Sequence, residues 1–437
     1  MKIVVYGLWH LGCVTAACLT AAGHEVRGLD RSAGVVAALR NGHPPLHEPG
    51  LAELIRAGLA SGQLSFTDSP ADALRDAELL WVAFDTPVND QDQADVAFVR
   101  GELEAIADAI APGTLVLISS QVPVGFTGAL AQDWAARGLR YAYSPENLRL
   151  GKAIDVFQHP ERVVVGLRDK ADQPTMAALF APFTERIEWM SLESAEMTKH
   201  ALNAFLATSV TFINELARLC ERVGADAKEV ERGLKSEARI GPGAYLAPGG
   251  AFAGGTLARD VRFLIEFGER YDVATPLFEG VLASNDAHKD WVRDTMQRLL
   301  RGRNQPVVAL LGLTYKPGTS TLRRSAAIEL GNWLHQQGVH VRAHDPAVAA
   351  LPSELLPVIT LCATAEAALE GADIALVATE WPIFRTLAAD DVVRAMRVPQ
   401  IIDQNRFLAA TVGGDPRITY VAVGTPDALG TGDSMQK

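Results

Sequence analysis

Residues 2–30, KIVVYGLWHLGCVTAACLTAAGHEVRGLD, change their hydrophobic period twice within one stretch. KIVVY is a short β-branched run and predicts a strand. GLWHLG is punctuated by Gly7 and Gly12 and predicts a turn. CVTAACLTAAG is a small-residue helix that stops at Gly23, and EVRGLD predicts a second strand closing on Asp30. Strand, glycine turn, helix and strand in this order form the opening unit of a doubly wound parallel sheet.

The turn is a GxGxxG variant. Gly7 permits a tight turn, Gly12 lets helix and strand pack closely, and the helix N-terminus offers backbone N–H groups to a pyrophosphate. Asp30 stands 18 residues after Gly12. A carboxylate there accepts hydrogen bonds from ribose hydroxyls and repels a 2′-phosphate, so NAD is the expected cofactor. The middle glycine is replaced by Trp9, whose side chain is expected to crowd the pyrophosphate. His10 and Leu11 complete the candidate cofactor turn.

Outward from this unit, LLWVAFD (79–85), TLVLISS (114–120) and RVVVGL (162–167) predict further strands of the same sheet. SAEMTKHALNAFLATSVTFINELARLCERVG, ending at Gly224, keeps helical periodicity almost without breakers and predicts one unusually long helix. After a glycine-rich stretch at 241–255 and more helix, strand signals return in PVVALLGL, VHVRAHDP, DIALVAT and PQIID. The expected fold is α/β, with two Rossmann-like doubly wound domains joined by a helical connector that contains a long central helix. The expected boundaries are 1–190, 191–300 and 301–437. The tail beyond Thr425 is rich in Gly, Ser and Asp and is expected to be mobile.

At 437 residues, 48% hydrophobic and 21% charged, the chain has the composition of a multi-domain globular protein. Its net charge of -12 argues against nucleic-acid and anionic-membrane partners. No run reaches the roughly 20 apolar residues of a membrane span. Cys13, Cys18, Cys220 and Cys362 form no CxxC pair, so a reduced, cytoplasmic setting is expected. His43 and His47 are separated by two prolines and cannot share a helical face, and no metal site is expected.

Several segments resemble the UDP-glucose/GDP-mannose dehydrogenase family, and together they cover nearly the whole chain. They are HEPGLAEL, FDTPVND, QVPVG, SPENLRLGKAID, HPERVVVG, EMTKHALNAFLA, RIGPGAYLAPGGAFAGGTLARD, GLTYKPGTSTLRRSA, AHDP and VATEWPIF. The resemblance implies NAD-dependent oxidation of a nucleotide sugar at its 6-hydroxyl, with a UDP-linked substrate and a homodimer. Lys199 is then the cation that stabilises an alkoxide or oxyanion. Asn203, one turn away, bonds the same group or a water. Glu146 handles protons or water, and Asp260 orients a water or holds Lys199. Thr86, Pro87 and Arg323 join the cofactor set. Substrate contacts fall to Glu146, Lys199, Asn203, Arg239, Tyr245, Leu246, Gly250, Lys316 and Arg406.

The departures are as informative. The family's nucleophilic cysteine position is occupied by Thr256. Ala251 and Ala253 replace glycines of the same loop, Gln121 replaces a threonine, and Leu150 replaces a glutamate. A threonine hydroxyl without an adjacent base is a poor nucleophile, whereas a thiol titrates near 8.5. The expected reaction therefore stops at the 6-aldehyde. Full oxidation to the uronic acid without a covalent intermediate is the close alternative. A non-catalytic nucleotide-sugar-binding protein and a β-hydroxyacid dehydrogenase relative are the alternatives of other kinds.

Overall fold

The computed structural model describes residues 1–87, 95–253, 256–323 and 325–426. The tail expected to be mobile lies outside them, apart from its first residue. The chain divides into two compact units, Met1–Leu202 and Asn203–Lys437.

The first unit holds an eight-stranded sheet. Its strands are β1 (Lys2–Tyr6), β2 (Glu25–Leu29), β3 (Leu64–Thr67), β4 (Leu79–Val82), β5 (Leu115–Ile118), β6 (Arg140–Tyr143), β7 (Val163–Leu167) and β8 (Ile187–Met190). The order across the sheet is β3-β2-β1-β4-β5-β6-β7-β8. Alternate residues go to opposite faces: Ile3, Val5, Leu79, Trp81, Leu115 and Leu117 pack into one core, and Val4, Tyr6, Leu80, Val82, Val116 and Ile118 into the other. Both faces are covered, which explains why these strands read as unbroken apolar runs. One pairing departs from the expected parallel sheet. β7 runs antiparallel to β6 through Ala142–Leu167 and Tyr143–Gly166.

The second unit contains a parallel six-stranded sheet: β9 (Val307–Leu311), β10 (His340–His344), β11 (Ile359–Leu361), β12 (Ile374–Val377), β13 (Gln400–Ile402) and β14 (Thr419–Val421). Its order, β11-β10-β9-β12-β13-β14, repeats the 3-2-1-4-5-6 winding of the first sheet's leading six strands. Asp345 closes β10 as Asp30 closes β2. Its carboxylate accepts from Leu313 N at 2.7 Å, Thr314 N at 2.9 Å and Trp381 Nε1 at 3.0 Å. Burial pushes this carboxyl up, but the N–H groups of Leu313, Ala347 and Thr314 outweigh it and hold it below the usual range. Helices Thr256–Arg270 and Pro276–Lys289 pack a separate small core of Val261, Leu264 and Val281 against Ala204 and Ala207.

The long helix runs Leu192–Val223, 32 residues, or about 48 Å at ~1.5 Å per residue. It ends where Gly224 takes φ +80°, a left-handed stop that a Cβ would strain. Among the described residues no helix is long and apolar enough to cross a membrane.

Candidate active site

Gly7 and Gly12 are fixed by contact. Gly7 has φ +94°, and a Cβ on it would meet the Phe84 ring at 2.7 Å; a Cβ on Gly12 would fall 1.8 Å from Gly7 O. The following helix, His10–Ala21, has no side-chain cap at its N-terminus and no acid in its first turn. Uncapped N–H groups and the helix dipole there suit an anionic group. Trp9 is the N-cap residue and is 49% exposed, so its indole fills no buried pocket. Leu11 is buried. Asp30 accepts from Leu8 N and Ser32 N, each at 2.9 Å, which fixes the carboxylate beside the turn. These residues fit a dinucleotide: glycine-lined approach, free helix dipole, acid at the end of the second strand. Thr86, buried, donates to Gln121 O at 2.8 Å, tying the β4 end to the β5 end, and Pro87 is exposed beside it.

Glu48, almost fully buried, links this turn to the segment after β6. His10 Nε2 donates to it at 2.9 Å, Gly151 N at 2.8 Å and Ala153 N at 2.9 Å. Burial raises its carboxyl, yet the Gly151, His10 and Ala153 bonds bring it below its ordinary value. A carboxyl depressed on folding stabilises the native state above its unfolded pKa and loses that contribution as pH falls through the folded one. Glu48→Gln is therefore expected to cost about 1–3 kcal/mol at pH 7. The gap should narrow below about pH 4. Urea midpoints of both proteins at pH 7 and well below pH 4 check this.

Lys199, on the long helix, is 6% exposed. Its ammonium donates to Glu146 O at 2.5 Å and lies 3.6 Å from Glu146 Oε1. Glu146 is in turn fixed by Leu148 N at 2.8 Å. Lys199 and Glu146 are thus one cluster of the first unit. Leu150 follows in the same loop.

In the second unit Asn203 donates to Asp260, and Asp260 is completely buried. Thr256 is the exposed first residue of the helix that carries Asp260 one turn later, so hydroxyl and carboxylate share a face. The loop leading to it is clamped. Asn214 accepts from Gly249 N at 3.0 Å and donates to Gly250 O at 3.2 Å, and Asn405 accepts from Gly250 N at 2.8 Å. Asn285 bonds both the N–H and the C=O of Phe252, at 3.0 and 2.9 Å, and His288 Nε2 donates to Gly249 O at 2.8 Å. A Cβ on Gly249 would lie 2.1 Å from Asn405 Oδ1, which leaves no room for a side chain. Ala251 and Ala253 are accommodated in the same loop.

The anion-binding candidates are less uniform. Tyr245 is 59% exposed and Leu246 is buried. Arg239 is exposed and pairs with its neighbour Glu237 at 3.0 Å. Lys316 is half-buried and Arg323 exposed. Arg406 is engaged elsewhere: both its terminal nitrogens bond Asp226, at 3.1 and 2.7 Å, with backbone φ +58°. Among the described residues no group of three or more His, Cys, Asp or Glu could hold a metal ion.

Residues 1–184 match the NAD binding domain of the UDP-glucose/GDP-mannose dehydrogenase family, residues 193–287 its central domain, and residues 309–410 its UDP binding domain. The chain belongs to this family. Like other members of the UDP-glucose/GDP-mannose dehydrogenase family it is an NAD-dependent nucleotide-sugar dehydrogenase. It is 35% identical to a UDP-glucose 6-dehydrogenase of Pseudomonas aeruginosa, over 98% of both chains. It is 31% identical to the UDP-glucose 6-dehydrogenase TuaD of Bacillus subtilis, over 98% of this chain and 94% of that one. The solved UDP-glucose dehydrogenase of Pyrobaculum islandicum superposes with a TM-score of 0.84 at 28% identity, over 97% of each chain.

Sequence reasoning passed over Glu48, Asn214, Asn285, His288 and Asn405. One signal was available for Asn214: it lies 11 residues after Asn203, three turns along one face of the same helix. The others are joined to their partners only by the folding of distant segments.

Proposed function

We propose that this family member oxidises the 6-hydroxyl of a UDP-linked hexose of the UDP-glucose kind and releases the 6-aldehyde. The carrying observation is Thr256 at the head of a helix whose next turn presents Asp260. None of the four cysteines lies in the loop or helix that carries Thr256. Burial pushes Cys13 up, Cys18 up to about 12, and Cys220 up, while Cys362 follows β11 in the second sheet.

Bound NAD supplies the hydride acceptor. The protein's own groups do the rest. Lys199 stabilises negative charge on the substrate oxygen as its proton leaves, and Glu146 sets the ammonium's position through carbonyl and carboxylate. One C–H bond breaks with its electron pair, the C–O bond becomes a carbonyl, and one proton is released. Asn203 and Asp260 favour a second reading, oxidation of the aldehyde hydrate to the acid, because a bonded amide–carboxylate pair suits holding a water. Incubation with NAD and a panel of nucleotide sugars, with methoxyamine present and products identified by mass, tests the proposal. A methoxyamine adduct of the 6-aldehyde supports it, and free uronic acid as sole product overturns it.

Asp30 leads to a second expectation. NAD binds, and NADP binds at least tenfold more weakly, because the carboxylate faces the added phosphate. Parallel calorimetric titrations check it. A third concerns assembly. Phe205, Phe212 and Leu219 are 68%, 51% and 60% exposed and stand seven residues apart on the long helix. An apolar stripe of this spacing suits a second copy of the chain. Sedimentation is expected to give a dimer, and Phe212→Glu to shift it toward monomer.

A further inference from the structure

On one face of the first unit's sheet a cavity of about 220 Å³ opens among the helices His10–Ala21, Ala153–Gln158 and Gln173–Phe180. Trp81, Phe157, Phe180 and Phe183 line it. The rings interlock, Trp81 to Phe180 at 5.8 Å and Phe157 to Phe183 at 5.1 Å between centroids, so the walls are held open by their own packing. Into this apolar space faces Thr15, which is fully buried and whose Oγ1 has no hydrogen-bond partner. A buried hydroxyl without a partner destabilises the fold. Such a cost persists where a ligand group relieves it. Of the residues assigned to the glycine turn and its acid, the cavity is lined by Leu11 but by neither Gly7, Gly12 nor Asp30.

We propose that this cavity binds a small neutral aromatic molecule carrying one hydrogen-bonding group, and that its occupancy tunes the contact between Glu146 and Lys199. An apolar cavity of about 150 Å³ takes up benzene, so this one has room for a two-ring molecule. Thr15 supplies the polar contact that fixes orientation, since the Ser119 and Ser144 hydroxyls of the same lining already donate to Ser144 O and Val164 O. The rim carries Glu146 and Glu161 beside Arg162, a net negative edge that disfavours an anionic ligand. Glu146 belongs both to the rim and to Lys199, through its carbonyl at 2.5 Å. A molecule pressed against this loop shifts the ammonium relative to the substrate oxygen. The tuning rests on the roles given above to Lys199 and Glu146; the binding does not.

The test uses the full chain and two probes, indole and its isostere indene, which lacks the N–H. Calorimetric titration is expected to show both binding, indole roughly three- to tenfold more tightly, the worth of one neutral hydrogen bond. Thr15→Val should erase that difference and leave indene unchanged. Val156→Phe, which fills the cavity from a half-buried position, should abolish both while NAD titrates as before. At saturating NAD and nucleotide sugar, indole should change turnover at least twofold in the unmodified protein and not in Val156→Phe. Absence of indole binding at millimolar concentration, equal binding by Val156→Phe, or displacement of indole by NAD overturns the site. Binding with unaltered turnover overturns the tuning alone. A protein that binds indole as described but oxidises no nucleotide sugar overturns the proposed function and leaves the cavity standing.

Discussion

Each molecule of UDP-glucose turned over by the unmodified protein is expected to yield one NADH, and Thr256→Cys to raise the yield toward two. The reason is local. Thr256 begins the helix Thr256–Arg270, so a thiol at its position would sit in the positive field of the helix N-terminus. That field lowers a thiol's pKa and populates the thiolate at neutral pH; a hydroxyl stays protonated there. A thiolate can add to the aldehyde, and the adduct can lose a second hydride to a second NAD and become a thioester. Rescue is expected to be partial. Hydrolysis of the thioester needs a placed water, and Gln121 and Leu150 stand where the resemblance implies a threonine and a glutamate. Counting NADH against consumed sugar, with a search for the acylated protein by mass, checks both halves. Two NADH per sugar from the unmodified protein would show that Thr256 does not stop the reaction.

The opening strand, turn and helix were legible because their period changes sharply and because glycine is demanded at Gly7 by a positive φ beside the Phe84 ring and at Gly12 by the carbonyl of Gly7. The central strands were equally plain, since a sheet buried on both faces writes itself as unbroken apolar sequence. The strands that escaped notice are short or marginal. β3 alternates burial over four residues, β8 is only half covered, and β6 begins with Arg140. β11 and β14 have three residues each. The reversal at β7 has no local signature: RVVVGL reads the same whichever way it runs, and only its pairing with β6 decides. The long helix was readable to within about two residues because Gly224 ends it.

The candidate site was legible where a motif lies on one element, as in Lys199 and Asn203 on one helix or Thr256 and Asp260 on another. It was opaque where a side chain fixes distant backbone. Asn405 reaches Gly250 across 155 positions and Glu48 reaches Ala153 across 105. Arg406 shows the converse limit. As a cation near the chain's end it suits an anionic ligand, yet Asp226, 180 positions earlier, holds its guanidinium.

Lys199→Met is expected to lower the rate of NADH formation by about 10²- to 10³-fold with little change in KM, the loss typical when one oxyanion-stabilising group is removed. The substitution keeps the length of the buried stem and removes only the charge. Glu146, whose side chain is 29% exposed, keeps contact with water when its cation is gone, so the fold is expected to survive. NAD titration of the variant provides the control, because Lys199 makes no contact with Gly7, Gly12 or Asp30 among its hydrogen bonds and ion pairs. Lys199→Arg is not expected to rescue. A planar fork cannot occupy the position of a point charge that meets a carbonyl at 2.5 Å and a carboxylate at 3.6 Å. An unchanged rate in Lys199→Met would remove the ammonium from the chemistry and make its contact with Glu146 purely structural. A fall in affinity for the nucleotide sugar with unaltered turnover would place Lys199 in substrate binding instead. Loss of turnover alone is the outcome that a buried ammonium, bonded to one carbonyl and paired with one carboxylate, leads us to expect.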